Sequence, residues 1–133
     1  MQIGDVYELR GAVTDANTAA SFGSGALPVF GTPYLIAMME GAAFAYLQGR
    51  LPDGKSSVGV GVSIEHVSPT PVGMEVRATA EVTAISPNGK MIDFRVAGFD
   101  EAGLIGEGTH RRAIVDVERF MTKCQGKLPS ARR

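Results

Sequence analysis

Thr32-Pro33-Tyr34-Leu35-Ile36-Ala37-Met38-Met39-Glu40-Gly41-Ala42-Ala43-Phe44-Ala45-Tyr46-Leu47-Gln48-Gly49 is the stretch that decides the fold. Thr32 can cap a helix, Pro33 suits its first position and Gly49 can end it, so both helix ends are written in the sequence. Between those ends nearly every residue is apolar. A surface helix carries a polar stripe, and a helix apolar all round is expected to be buried. The one charge in the run is Glu40.

Working outward, the apolar period falls from 3.6 to 2. Val58, Val60, Val62 and Ile64 alternate with Gly59, Gly61, Ser63 and Glu65, which predicts a strand whose valine face is packed. Pro69-Thr70-Pro71-Val72-Gly73 turns the chain into a second strand, in which Val76, Ala78, Ala80 and Val82 alternate with charged and polar residues. Ser86-Pro87-Asn88-Gly89 and Asp100-Glu101-Ala102-Gly103 then separate strands over 91–99 and 104–117. Upstream, residues 6–13 supply one more strand. The expected fold is α+β, a five-stranded antiparallel sheet wrapped around one long central helix. Such a sheet keeps an open edge, which favours at least a homodimer.

The 133 residues fit one domain spanning 1–133, with the basic tail from about 126 expected to be disordered. A net charge of -1 gives no broad attraction for nucleic acid. The single cysteine, Cys124, excludes an internal disulfide and fits a cytoplasmic location. No stretch is apolar for long enough to span a membrane, and the charged N-terminus does not read as a secretory signal. Two histidines 44 positions apart and one cysteine offer no metal-ligand spacing. Gly59-Val60-Gly61 opens no helix and is not a dinucleotide fingerprint.

Three stretches together resemble one family. Val29-Phe30-Gly31-Thr32 leads into the helix at Met38-Met39-Glu40; Ser57-Val58-Gly59 leads to Glu65-His66 and Thr70-Pro71-Val72-Gly73; Gly106-Glu107-Gly108-Thr109-His110 leads to Arg112-Ala113. In order and spacing they are similar to the fluoroacetyl-CoA thioesterases, a branch of the hotdog-fold thioesterases. The resemblance implies a hotdog fold and hydrolysis of a short-chain acyl-CoA without a cofactor. It implies a catalytic set of Thr32, Glu40 and His66, polarisation of the thioester carbonyl by the Gly59 backbone N–H, and substrate contacts at Phe30 and Arg112. The family's namesake carries bulky aromatics in a lid, whereas the corresponding segment 16–27 is rich in Ala, Ser and Gly with Phe22 alone. The resemblance therefore carries the reaction class further than the acyl group.

The residues support the same set on their own chemistry. A carboxylate among apolar neighbours, as Glu40 is, must be paired or have a raised pKa, and either suits a base or nucleophile. Strand alternation turns His66 to the side of Val62 and Ile64, toward the helix. Thr32 is a natural cap, and a cap also places its hydroxyl at the positive end of the helix dipole. Whether Glu40 activates water or attacks, and whether Thr32 positions or attacks, stays open at this point. Eight residues at about 1.5 Å each separate Thr32 from Glu40 by roughly 12 Å, which favours a site assembled from two subunits over one within a single chain. His110 and Glu107 beside Arg111 and Arg112 read as a solvated or CoA-contacting edge, and Arg77, Arg111 and Arg112 as candidates for CoA phosphate contacts. Two other functions share the fold: a non-catalytic acyl-CoA-binding protein and an enoyl-CoA hydratase.

Overall fold

In the computed structural model, which describes residues 1–132, the chain runs β1 (Val6–Ala12), α1 (Ala19–Phe22), α2 (Thr32–Gln48), β2 (Lys55–His66), β3 (Glu75–Ile85), β4 (Met91–Asp100), β5 (Gly103–Asp116) and α3 (Val117–Gln125). Arg133, the end of the expected tail, lies outside the described residues. The five strands form one antiparallel sheet in the order β1-β3-β4-β5-β2, and α2 packs against its inner face, as expected from the sequence.

The core is α2 pressed into that sheet. Leu35, Met39, Ala42, Ala43, Tyr46 and Leu47 recur at helical spacing and are all buried, facing Val76, Ala78, Ala80, Val82, Ile92, Phe94 and Val96. Each of the large side chains contributes about 1.5–3 kcal/mol by leaving water. Leu35 sits in a notch cut by two cross-strand partners, Gly98 and Gly106. A Cβ on Gly98 would lie 2.5 Å from Leu35 Cδ1, and one on Gly106 would lie 2.9 Å from Cδ2.

Three expectations change. The helix is buried on one face only: Thr32, Ala37 and Phe44 are exposed, because the sheet of a single chain wraps half of the cylinder. Nor is the valine face of β2 packed, for Val60 and Val62 are exposed. Both lie on the edge strand of the sheet, and a β-bulge between Gly59 and Gly61 shifts the pairing with β5 by one residue, which breaks the run of valines into two faces. Ser57 and Gly59 face the helix side before it, and Ile64 and His66 after it, so the alternation visible in the sequence does not carry one face through the strand. Finally, α3 follows β5 directly. Asp116 caps it by accepting from the Arg119 N–H, and none of its residues is buried.

Candidate active site

The structure places the expected residues in two groups. The first lies at the N-terminus of α2. Gly31, not Thr32, is the N-cap, and Thr32 is the first helical residue. Its hydroxyl is free of capping because Oγ1 lies 2.7 Å from His66 Nδ1, brought in from the end of β2. This corrects the cap reading. Burial holds His66 below its ordinary pKa of 6.5, so the imidazole is neutral at pH 7 and can accept a proton. Its Nε2 is buried with no hydrogen-bond partner, which leaves Nδ1 as the nitrogen engaged with the exposed Thr32 hydroxyl. Beside the pair opens a cavity of about 320 Å³ walled by Ala19, Val29, Phe30, Val67 and Pro69. Phe30, expected to touch substrate, is buried in that wall.

The second group lies two turns along α2. Glu40 is 41% exposed at its side chain, more open than its apolar neighbours in sequence imply, and its Oε2 is 3.6 Å from Arg112 Nη1. Gly59 covers it closely, since a Cβ on Gly59 would stand 2.7 Å from Glu40 Oε2, 3.2 Å from His110 Cε1 and 3.4 Å from Arg112 Nη1. The absent side chain is what lets the carboxylate, the guanidinium and the bulge meet.

Arg112 is itself buried. Nε donates to Ser57 Oγ at 2.8 Å, Nη2 to the Ser57 carbonyl at 3.0 Å and Nη1 to His110 Nε2 at 3.2 Å. Among the candidate arginines, Arg111 is paired bidentately with Asp93, and Arg77 is bonded to Glu8. His110 corrects the solvated-edge reading: it is buried against Phe94 and faces Glu40 through Arg112, while Glu107 is exposed on the opposite face of β5. The sequence reading missed Ser57 and His110 as members of this cluster. The available signal was parity, because His110 and Arg112 share one face of a strand whose other face is charged. Among the described residues no cluster of His, Cys, Asp and Glu could hold a metal ion, and no helix is long and apolar enough to cross a membrane.

The arrangement offers a hydroxyl in contact with a neutral imidazole, and a carboxylate set under backbone, as in hydrolysis of an activated acyl group. Comparisons with known proteins agree. Residues 13–118 match the family model described as fluoroacetyl-CoA-specific thioesterase, FlK. The fluoroacetyl-CoA thioesterase of Streptantibioticus cattleyicolor is 33% identical over 102 residues, covering 77% of this chain and 72% of that protein. A solved structure of the fluoroacetyl-CoA thioesterase FlK superimposes with a TM-score of 0.89 at 29% identity, covering 97% of this chain and 98% of the other. A hot-dog-like protein from Thermanaerovibrio acidaminovorans, 19% identical with a TM-score of 0.88 over 98% of this chain and 95% of its own, shares the fold. The chain is thus a hotdog-fold thioester hydrolase and belongs to the fluoroacetyl-CoA-specific thioesterase family.

Proposed function

We propose that the protein hydrolyses short-chain acyl-CoA thioesters through an acyl-enzyme on Thr32. The observation that carries this reading is the 2.7 Å contact between the Thr32 hydroxyl and His66 Nδ1. A nucleophile in hydrogen-bond reach of a neutral base is the minimal unit of covalent acyl transfer. Thr32 Oγ1 attacks the thioester carbonyl, His66 Nδ1 takes the hydroxyl proton, the C–S bond breaks, and CoA leaves as the thiol with that proton. The Gly59 N–H polarises the carbonyl. Glu40 then takes a proton from water, whose oxygen attacks the ester; the free acid leaves and Thr32 regains its proton. Apolar walls at Val29, Phe30 and Val67 suit a small hydrocarbon acyl group. No step needs a cofactor, since the thioester is already activated.

The two groups of one chain are too far apart to act on one carbonyl, with Gly59 and His66 separated by about 23 Å along β2 at about 3.3 Å per residue. We infer a homodimer in which Glu40 and Gly59 of one copy complete the Thr32 and His66 of the other. Three features support it: β2 is an edge strand of 12 residues, Val60 and Val62 are exposed along it, and Phe44 is exposed on the uncovered face of α2. Antiparallel pairing of two β2 edges about a two-fold axis near Val62 and Ser63 sets Gly59 of one copy opposite His66 of the other. A non-catalytic binder would have no use for the Thr32–His66 contact, and a hydratase would release no thiol. A thiol-release assay over acetyl-, propionyl-, butyryl-, phenylacetyl- and fluoroacetyl-CoA, with mass spectrometry of the quenched enzyme, tests the reading. Turnover with no acyl adduct on Thr32, in the wild type or in Glu40→Gln, overturns it. The cytoplasm is the expected compartment.

A further inference from the structure

His110 is a buried histidine that the reaction described above does not use, yet each of its polar atoms is committed. Nε2 lies 3.2 Å from Arg112 Nη1 and Nδ1 lies 2.7 Å from the Gly61 carbonyl oxygen. An arginine has only donors, so Nε2 must accept; a carbonyl has only lone pairs, so Nδ1 must carry the proton. The tautomer is thereby fixed by its surroundings, and the ring is neutral. Its plane is stacked on Phe94 with centroids 6.4 Å apart, which holds it in one orientation. Cε1 comes within 3.2 Å of the Cβ position of Gly59.

We propose that His110 is a positioning residue: it ties the Gly59–Gly61 bulge of β2 to the Arg112 guanidinium and so fixes the Gly59 backbone and the Glu40 carboxylate relative to each other. The proposal rests on the reading of Glu40 as the carboxylate that activates water. A bulge interrupts the regular ladder between β2 and β5 and leaves the strand locally free to shift. The bond from Nδ1 to Gly61 removes that freedom. The bond at Nε2 orients Nη1, the same nitrogen that faces Glu40. One ring thus joins β2, β5 and, through Arg112, α2.

The surroundings also keep the ring in its accepting state. Burial holds the His110 pKa below its ordinary value; the Gly61 carbonyl works against this, Arg112 reinforces it, and Glu40 opposes it. These are the groups facing it: Arg112 from β5, Glu40 from α2, the Gly61 carbonyl from β2 and the uncharged Phe94 from β4. A protonated Nε2 would turn a donor toward a donor, push Arg112 away and release Glu40.

The test compares His110→Asn, whose amide nitrogen can still donate to Gly61 but whose oxygen, on the shorter side chain, does not reach the place of Nε2 beside Arg112, with His110→Phe, which keeps the stack and loses both bonds. Expected are kcat losses of about tenfold and about a hundredfold, KM falling with kcat so that kcat/KM stays within about threefold of wild type, and acyl-enzyme accumulating in both during turnover, because the Glu40 step is the one slowed. A purely structural role would lower the active fraction without changing the balance of acylation and deacylation. Wild-type kcat in His110→Asn, or a loss of kcat without accumulated acyl-enzyme while Glu40→Gln does accumulate it, overturns the proposal. If Glu40→Gln turns over normally, the reading of Glu40 fails instead. His110 is then judged on nitrogen-15 NMR of histidine-labelled wild type, where a proton on Nδ1 and none on Nε2 at pH 7 is expected and the reverse tautomer overturns the assignment.

Discussion

Gly59 has no side chain at the spot where the Glu40 carboxylate stands, and a Cβ there would lie 2.7 Å from Oε2. The same glycine opens the bulge of β2, so one residue sets both the strand register and the clearance over the carboxylate. Gly59→Ala should lower kcat/KM about a hundredfold, equivalent to about 2.7 kcal/mol of transition-state stabilisation. Gly61→Ala, whose Cβ meets nothing within 4 Å in its own chain, should cost at least about tenfold less. Neither glycine has a positive φ, so backbone strain does not confound the pair. Equal loss in the two variants, or none in Gly59→Ala, would count against the crowding argument; circular dichroism and melting curves report whether each is folded.

Glu40→Gln keeps the shape of the side chain and removes its ability to take a proton. Turnover should fall by about three orders of magnitude, within the range that a positioned base contributes. Acyl-enzyme should accumulate on Thr32, and Thr32→Ala should show no adduct. Intact-mass spectrometry after rapid quenching reads both.

The dimer is tested by complementation. Neither Thr32→Ala nor Glu40→Gln should be active alone, but unfolding and refolding an equal mixture should restore about a quarter of wild-type activity, because half of the dimers are mixed and each holds one intact site of two. No recovery, or a fully active monomer by sedimentation, would show that one chain holds the whole site.

Much of this was legible in the sequence. The helix announces itself through an apolar run with Pro33 and Gly49 at its ends, and the meander through turn residues at regular spacing. What escaped was set by contacts distant in sequence. The alternation from Val58 to Ile64 runs unbroken through Gly59-Val60-Gly61, so the bulge has no local sign; it exists only in the pairing with β5. Thr32 reads as a cap because the competing partner, His66, lies 34 residues away. His110 and Ser57 look like ordinary strand polar residues until Arg112 joins them. The helix α3 was not read from the sequence: Val117, Phe120, Met121 and Cys124 have helical spacing, but they follow β5 with no turn between, so the strand reading ran on to Val117.

The pH dependence follows from the two histidines. Burial holds both His66 and His110 below 6.5, so the native state binds fewer protons than the unfolded chain. Their contribution to stability is complete above the unfolded value of 6.5 and is lost as pH falls through the folded values. Activity should share this limb, since a protonated His66 cannot take the Thr32 proton. The acid midpoint of kcat/KM should therefore lie below 6.5, and urea unfolding free energy should decline from about pH 6.5 downward. A midpoint above 6.5 would mean that His66 is stabilised as the cation and is not the base.

The last expectation concerns the acyl group. The segment 16–27, where the resemblance would place a lid, holds a turn at Asp15–Asn17 and the single turn of α1. Its one aromatic residue, Phe22, is 57% exposed and packs edge-on to Tyr34 with centroids 5.4 Å apart. Nothing aromatic in this segment closes the cavity beside Thr32 and His66, whose lining from it is Ala19 and Ser24. An apolar pocket discriminates one methylene by only about 1–3 kcal/mol, and an open one does less. The kcat/KM for acetyl-, propionyl- and butyryl-CoA should therefore fall within about a hundredfold of one another, with fluoroacetyl-CoA preferred over acetyl-CoA by less than about a hundredfold. Phe22→Ala should change these ratios by less than about threefold, because the ring rests on Tyr34 at the surface and not against the cavity wall. If the enzyme rejects acetyl-CoA while turning over fluoroacetyl-CoA rapidly, selectivity resides in the polar groups at Thr32, His66, Glu40 and Arg112, and the openness of segment 16–27 is irrelevant to it.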